Sequence, residues 1–146
     1  RRDGRSRLYE YRIFNRATPS PFHRHRAWHI HEPLDVDAMA KAIECLIGEH
    51  DFSSFRAANC DATHPVRTIY HTHIERRGEL LVYTIEGTAF LRHMVRNLVG
   101  TLADVGRGIR KPQSFAELLD ARDRTKAGYT APPEGLYLVQ VNYDRA

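Results

Sequence analysis

The stretch FLRHMVRNLVG, residues 90–100, constrains the fold most, because it combines a helical apolar period with an unusual second face. Its apolar residues, continued to residue 105, recur every 3.6 positions and predict an amphipathic helix over about 90–105: Phe90, Leu91, Met94, Val95, Leu98, Val99, Leu102 and Val105. The other face has no Glu/Lys mixture and instead carries Arg92, His93, Arg96, Asn97 and Gly100. Glycine inside a helix costs about 1 kcal/mol relative to alanine. We therefore expect another group to approach the helix backbone closely at Gly100.

The rest of the sequence alternates between strand and helix patterns. Strands are predicted at 7–16, in a short extended piece at 27–32, in a hairpin over 66–90 that turns at Arg77-Gly78, and at 136–144. Helices are predicted over 35–50, with Asp35 or Asp37 as N-cap, and over 112–123. This order favours a single α+β domain over residues 1–146, with a mixed, mostly antiparallel sheet and helices packed on one face.

Length and composition indicate a soluble globular domain. The chain has 146 residues, of which 42% are hydrophobic and 27% charged. No apolar run approaches the roughly 18 residues of a membrane span, and the basic N-terminus is not followed by the apolar segment of a signal peptide. We expect a cytoplasmic protein without a membrane partner. Cys45 and Cys60 are the only cysteines and form no CxxC pair, which favours a buried thiol at Cys45 over a disulfide.

The basic residues are biased towards arginine. Only Lys41, Lys111 and Lys126 are lysines among 22 basic residues, and residues 1–26 hold eight arginines against Asp3 and Glu10. Arginine binds phosphate through two parallel hydrogen bonds and stacks on bases, so this bias fits a nucleic-acid partner. A GC-rich genome produces the same bias, and composition alone leaves both explanations open.

Several segments, in this order and spacing, resemble the C-terminal portion of a known family: HDFSSFRAANC, HPVRTI, FLRHMVRNLVGTLADVGRG, DRTKAG and APPEGLYLVQVNYD. The family is TruA (pseudouridine synthase I), the tRNA pseudouridine synthases that act on the anticodon arm. RSRLYEYRI resembles the strand that opens this portion, so the resemblance covers essentially the whole chain. It implies isomerisation of uridine to pseudouridine in the anticodon stem-loop of tRNA, no metal or redox cofactor, and a homodimer.

The resemblance also implies roles for individual residues. Tyr9 corresponds to the tyrosine beside the target uridine, Arg96 to the partner of the catalytic aspartate, and Leu136 to the apolar residue against the uracil. Arg92, His93 and Arg56 lie in family motifs as candidate RNA contacts, and Gly100 would let RNA or another chain segment come close to the helix backbone. A tyrosine ring can replace the stacking that a flipped base loses, and a guanidinium keeps a nearby carboxylate ionised. Without the resemblance, Tyr9 cannot be distinguished from Tyr11, and Arg96 reads as part of a solvated basic stripe.

One departure from the family pattern matters more than any match. The nucleophile of the family is an aspartate in a Gly-Arg-Thr-Asp motif, and this motif is absent from the sequence. RRDGR contains Asp3, but it lies only six residues before Tyr9, in the lead-in to that strand. We therefore expect the chain to lack an N-terminal portion of the enzyme and to make no pseudouridine alone.

Two other classes of function remain open at this point. The first is a non-catalytic RNA-binding module, for which a basic edge and exposed tyrosines suffice. A metal-binding protein is suggested by three His-x-His pairs, His23/His25, His29/His31 and His71/His73, since residues i and i+2 of a strand share a face. No third ligand at a fixed spacing accompanies any pair, which favours exposed histidines on strands.

Overall fold

The computed structural model describes residues 5–142. Their helices and strands follow in chain order: β1 (Ser6–Phe14), β2 (Trp28–His29), α1 (Val36–Ile43), β3 (Gly48–Asp51), β4 (Val66–Arg77), β5 (Leu80–Gly87), α2 (Met94–Gly106), α3 (Ser114–Ala121) and β6 (Leu136–Asn142). Short 3-10 turns lie at Glu44–Leu46, Ser53–Phe55, Arg124–Lys126 and Pro133–Gly135. The α+β architecture predicted from the sequence is confirmed.

Strand β1 is the centre of the sheet. The strand order is β2-β1-β5-β4-β3, and β6 also pairs with β1. All pairings are antiparallel except that of β1 with β2. The predicted hairpin is present: β4 and β5 join at Gly78, whose φ of 62° lies in the left-handed region.

One face of the sheet packs on the helices, and the other combines polar side chains with a few buried apolar ones such as Val82. Tyr11 pairs with Tyr83 and Ile13 with Leu81 across β1 and β5, and these side chains share one core cluster with residues of all three helices. The intervening positions of the two strands include Glu10, opposite Thr84 on the other face. This alternation is the period-two pattern of a half-buried antiparallel sheet.

Two predicted helix boundaries are wrong. Helix α2 begins at Met94 rather than at residue 90, because His93 has a left-handed backbone with φ of 60°. Helix α1 ends at Ile43 and not near residue 50. After Ile43 the chain forms a 3-10 turn. Residues 48–51 then form strand β3, because they pair with β4 through backbone hydrogen bonds. The N-cap prediction holds at Asp35, whose side chain accepts a hydrogen bond from the Ala38 amide at 3.0 Å.

Some predictions concern residues that the structure does not describe. Asp3 and the first two arginines of the arginine-rich stretch lie outside the described residues, as do positions 143 and 144 of the predicted last strand.

Both cysteines are free thiols, and burial raises the pKa of Cys45. Within residues 5–142, none of the helices is long and apolar enough to cross a membrane.

Within helix α2, the second face is largely buried. Asn97 is only 1% exposed. Its Nδ2 donates to the Phe55 carbonyl at 2.8 Å, and its Oδ1 accepts from the Thr130 hydroxyl at 2.6 Å. Arg124 also donates to Oδ1, at 3.1 Å. Asn97 therefore ties the helix to two segments distant in the sequence.

The chain segment 127–131 is what approaches Gly100. A Cβ on Gly100 would overlap the backbone carbonyl oxygen of Tyr129. Beside this contact, Thr101 Oγ1 accepts a hydrogen bond from the Gly128 amide at 2.9 Å. Of the two alternatives that the sequence left open, RNA or another chain segment, a chain segment occupies this position.

We predict that Gly100→Ala lowers the free energy of unfolding by about 2 kcal/mol or more. The added methyl group would overlap rigid backbone, so the overpacking cost lies at or above the ~3 kcal/mol upper end of its usual range, and only ~1 kcal/mol of helix propensity offsets it. Urea denaturation followed by circular dichroism measures the change.

Gly106→Ala is the matched control in the same helix. A Cβ there would lie 2.7 Å from Met39 Sδ, the flexible end of a side chain that can move aside. Gly106→Ala should therefore lower the free energy of unfolding clearly less than Gly100→Ala does. Equal losses for the two variants would contradict the close contact at Gly100.

Candidate active site

A cavity of about 180 Å³ lies where the start of α2 meets β1 and the start of β6. We call it the Tyr9 cavity. Its lining residues are Tyr9, Phe90, Leu91, His93, Met94, Val95, Arg96, Pro133 and Leu136. Four candidate residues from the sequence are thus brought together: Tyr9, His93, Arg96 and Leu136. Arg92 and Arg56 are not among the lining residues.

The structure separates the two tyrosines of β1. Tyr11 is 0% exposed, and its hydroxyl donates to the Pro132 carbonyl at 2.5 Å. Tyr9 is only partly buried and lines the cavity, with its ring centroid 5.0 Å from that of Phe90 at an interplanar angle of 85°. Such an edge-to-face contact holds the Tyr9 ring in place and covers at most one of its two faces. Tyr11 is a core residue, whereas Tyr9 faces the cavity.

Tyr11 also positions Leu136. Burial, and then the negative charge of Glu134, raise the pKa of Tyr11, so its hydroxyl remains a neutral donor to Pro132. The next turn is tight, because a Cβ on Gly135 would lie 2.6 Å from the Arg12 carbonyl oxygen. Leu136 follows at once and pairs with Tyr11 in the β1–β6 ladder. The leucine is therefore placed at the cavity by the backbone.

Arg96 is held by Ala131 on two sides. Its Nε donates to the Ala131 carbonyl at 2.8 Å, and its own carbonyl accepts from the Ala131 amide at 3.0 Å. Within residues 5–142, Arg96 forms no ion pair, and no hydrogen bond engages its terminal nitrogens. A guanidinium fixed at Nε with both amino groups available is arranged to receive a carboxylate or phosphate.

The start of α2 is an electropositive end of the cavity. His93 precedes the helix without capping it through its side chain, and the first turn contains no acidic residue. Desolvation first, and then the charges of Arg96 and Arg92, lower the pKa of His93. The imidazole is therefore neutral near pH 7 and can donate or accept. The helix dipole adds to the positive potential of Arg96 and favours an anion here.

The other two arginines have different surroundings. Arg92 is exposed, and its backbone carbonyl accepts from the Ala57 amide at 3.2 Å. The guanidinium of Arg56 donates to the carbonyls of Cys60 at 3.3 Å and Ala62 at 2.6 Å. Arg56 thus shapes the loop that follows it and is not an unengaged cation. The RNA-contact roles of both arginines stay predictions.

Sequence reasoning missed two members of the site. Phe90 was assigned to the apolar side of a helix that in fact begins only at Met94, so its place beside Tyr9 was hidden. The apolar period runs through FLRHMV without a break, so the sequence carried no signal for this contact. Ala131 acts through its backbone carbonyl and amide. No side-chain pattern reveals such a contact.

The histidine pairs show no ligand cluster in the part of the chain that is described. Among residues 5–142 there is no group of three or more His, Cys, Asp or Glu side chains arranged to hold a metal ion. The rings of His71 and His73 stack with centroids 6.2 Å apart, and His73 Nε2 lies 3.3 Å from a Glu75 carboxylate oxygen.

Comparison with known proteins places the chain in a family. The sequence profile described as tRNA pseudouridine synthase matches residues 42–144, a range that contains Arg96 and Leu136. The chain belongs to this family. The resemblance inferred from the five sequence segments is confirmed at that level.

Individual members of the tRNA pseudouridine synthase family also match the segment that contains Tyr9. Proteins named tRNA pseudouridine synthase A are 50% identical in Myxococcus xanthus, 46% in Janthinobacterium sp. (strain Marseille) and 48% in Pectobacterium atrosepticum. These matches cover 98%, 96% and 94% of this chain, and 54%, 52% and 49% of the respective relatives. The chain spans about half the length of the curated relatives it matches.

We predict unequal stability effects for the two tyrosines of this family member. Tyr11→Phe removes the donor to a largely buried carbonyl and should lower the free energy of unfolding by about 1–3 kcal/mol. Among the described residues, none forms a hydrogen bond with the Tyr9 hydroxyl. Tyr9→Phe should therefore change the free energy of unfolding by less than about 0.5 kcal/mol. Urea titration of both variants measures this. A larger loss for Tyr9→Phe would show that Tyr9 is the structural residue.

Proposed function

We propose that this chain is part of a tRNA pseudouridine synthase that converts uridine to pseudouridine in the anticodon stem-loop, and that it supplies one wall of the active site and RNA-binding surface. The observation that carries the proposal is the convergence of Tyr9, Arg96 and Leu136 on one cavity, from three separate parts of the chain. Family membership supports the reaction.

The Tyr9 cavity is sized for part of a nucleotide. Its volume of about 180 Å³ is below the ~300–1,000 Å³ of pockets for drug-sized ligands, which suits a single base. A uridine in a stacked arm is reached only by flipping it out, at a cost of a few kcal/mol. The Tyr9 ring, braced by Phe90, and the apolar side chain of Leu136 offset part of that cost by contacting the base.

Arg96 supplies the charge that the chemistry needs. Its terminal nitrogens pair with the carboxylate of an aspartate that comes from a segment outside this chain. A guanidinium at ion-pair distance lowers a carboxyl pKa by about 1–3 units, so the aspartate stays ionised and nucleophilic. The hydrogen bond from Arg96 Nε to Ala131 fixes the direction from which the pair forms.

The reaction is an isomerisation that balances without a cofactor. The aspartate attacks the uridine, and the bond between N1 of the base and C1′ of the ribose breaks. The uracil rotates in the cavity, a bond forms between its C5 and the same C1′, and the bond to the aspartate breaks, which restores the free carboxylate. C5 loses a proton and N1 gains one, so no electrons leave the system.

The RNA is held by exposed cations around the cavity. Arg92 lies next to the cavity-lining His93 in the sequence, and its exposed guanidinium is suited to a phosphate. We propose that the complete protein works as a homodimer across which the tRNA lies. Within residues 5–142 Arg96 has no carboxylate partner, and this favours a second description of the isolated chain as an RNA-binding module without catalysis.

We predict that the chain binds an anticodon-arm RNA and that combined Arg92→Ala and Arg96→Ala substitutions weaken this binding at least about tenfold. Each charge-assisted contact is worth roughly 1.5–3 kcal/mol when fully engaged, and the slope of log K against log salt should fall by about 0.7 per lost phosphate contact. Fluorescence anisotropy of labelled RNA at several salt concentrations measures both.

Lys111→Ala with Arg122→Ala is the control, since it removes the same charge. Both residues are exposed, and Arg122 pairs with Asp51 on β3, at the sheet edge opposite β6.

Pseudouridine formation is assayed in parallel, with and without the N-terminal half of the Myxococcus xanthus relative. We expect product only in the mixture, and none there with Arg96→Ala. Equal binding by both double variants, or product from the chain alone, would contradict the proposal.

A further inference from the structure

We propose that a second cavity, beside Trp28, receives the unpaired nucleotide next to the target uridine. The proposal rests on the function proposed above, because it takes RNA as the ligand. The cavity has a volume of about 490 Å³ and lies between the end of β1, β2 and the loop that joins them. We call it the Trp28 cavity. The lining residues that matter here are Phe14, His23, Arg24, Trp28, His29 and Glu134.

The walls of the Trp28 cavity are aromatic and held in place. The His23 ring stacks on Phe14 with centroids 4.8 Å apart and an interplanar angle of 29°. Trp28 packs edge-on against the buried ring of Tyr11 at 6.3 Å. A planar base gains most from such preformed aromatic surfaces, which accept any base because every base has a π-face.

The loop that closes this cavity is folded on itself. The amides of Arg26 and Ala27 donate to the His23 carbonyl at 2.9 and 3.1 Å, and His25 adopts a left-handed backbone with φ of 65°. The Tyr137 hydroxyl on β6 donates to the Arg26 carbonyl at 2.7 Å. Because these contacts fix the loop, the cavity exists before any ligand binds.

The rim of the Trp28 cavity carries positive charge. The Arg24 side chain lines it, and the exposed side chain of Arg26 follows two residues later. Between Pro21 and His23, the Phe22 ring is 80% exposed to solvent. Cations and an exposed aromatic ring around an aromatic cavity match a nucleotide, whose phosphate and base need both kinds of contact. An uncharged apolar partner would leave the two arginines unused.

The position of this cavity identifies which nucleotide enters it. Pro133 lines the Tyr9 cavity, and the next residue, Glu134, lines the Trp28 cavity. The two cavities therefore lie on either side of one 3-10 turn, and a strand that places a base in the first passes its neighbour to the second. The Glu134 carboxylate can accept a hydrogen bond from an N–H of that base.

Trp28 is the only tryptophan of the chain, so its fluorescence reports on this cavity directly. The chain is titrated with an anticodon-arm RNA while tryptophan emission and the anisotropy of a label on the RNA are followed together. Parallel titrations use arms with an abasic site at the target position or at either neighbouring position. We expect RNA binding to quench Trp28, and an abasic site at one neighbour to remove most of the quenching and weaken binding about fivefold or more.

The abasic target should leave the quenching in place, which separates the two cavities. Arg24→Gln should weaken binding about threefold, whereas Arg122→Gln, an equally exposed change, should not. RNA binding without any change in Trp28 emission, or equal quenching by all the abasic arms, would overturn this inference and leave the proposed function standing. If Trp28 emission changes with protein concentration in the absence of RNA, the cavity is filled by a second copy of this chain, which would also overturn the inference. If the chain binds no RNA even at low salt, both this inference and the proposed function are contradicted.

Discussion

The packing of the segment 127–131 against helix α2 is the contact on which the other features depend. At Gly100 there is no room for a Cβ, because the backbone oxygen of Tyr129 occupies that space. Asn97 and Thr101 satisfy the polar groups of the same segment, at Thr130 and Gly128. Buried polar groups are costly unless they are paired, so this combination admits one alignment of the segment on the helix.

That alignment determines the geometry of the candidate site. With Tyr129 seated on Gly100, Ala131 falls beside Arg96 and holds its guanidinium through Nε. The next residues form the turn that accepts the Tyr11 hydroxyl at Pro132 and delivers Leu136 to β6. Tyr9 reaches the same cavity from β1. A backbone contact some distance from the cavity thus aligns three side chains from three elements.

The sequence predicted the elements of this fold better than its contacts. Period-two and period-3.6 patterns located the β4–β5 hairpin and α2 because burial of one face produces those patterns. The start of α2 was misplaced, since nothing in the apolar period marks His93 as a left-handed residue. The sequence could not predict the burial of Asn97, because its partners, Phe55 and Thr130, are distant in sequence. The grouping of Tyr9, Arg96 and Leu136 was implied only by family resemblance, because residues so far apart show no local pattern.

The proposed reaction requires Arg96 to pair with a carboxylate that comes from outside this chain. The most direct test is a ¹³C NMR titration of the aspartate carboxyl groups in a labelled N-terminal half of a relative, mixed with this chain. With native Arg96, one aspartate should titrate at least about one pKa unit below the ordinary 3.9. With Arg96→Gln, the pKa of that aspartate should rise towards the ordinary value. If every aspartate titrates identically with both chains, the central claim is wrong.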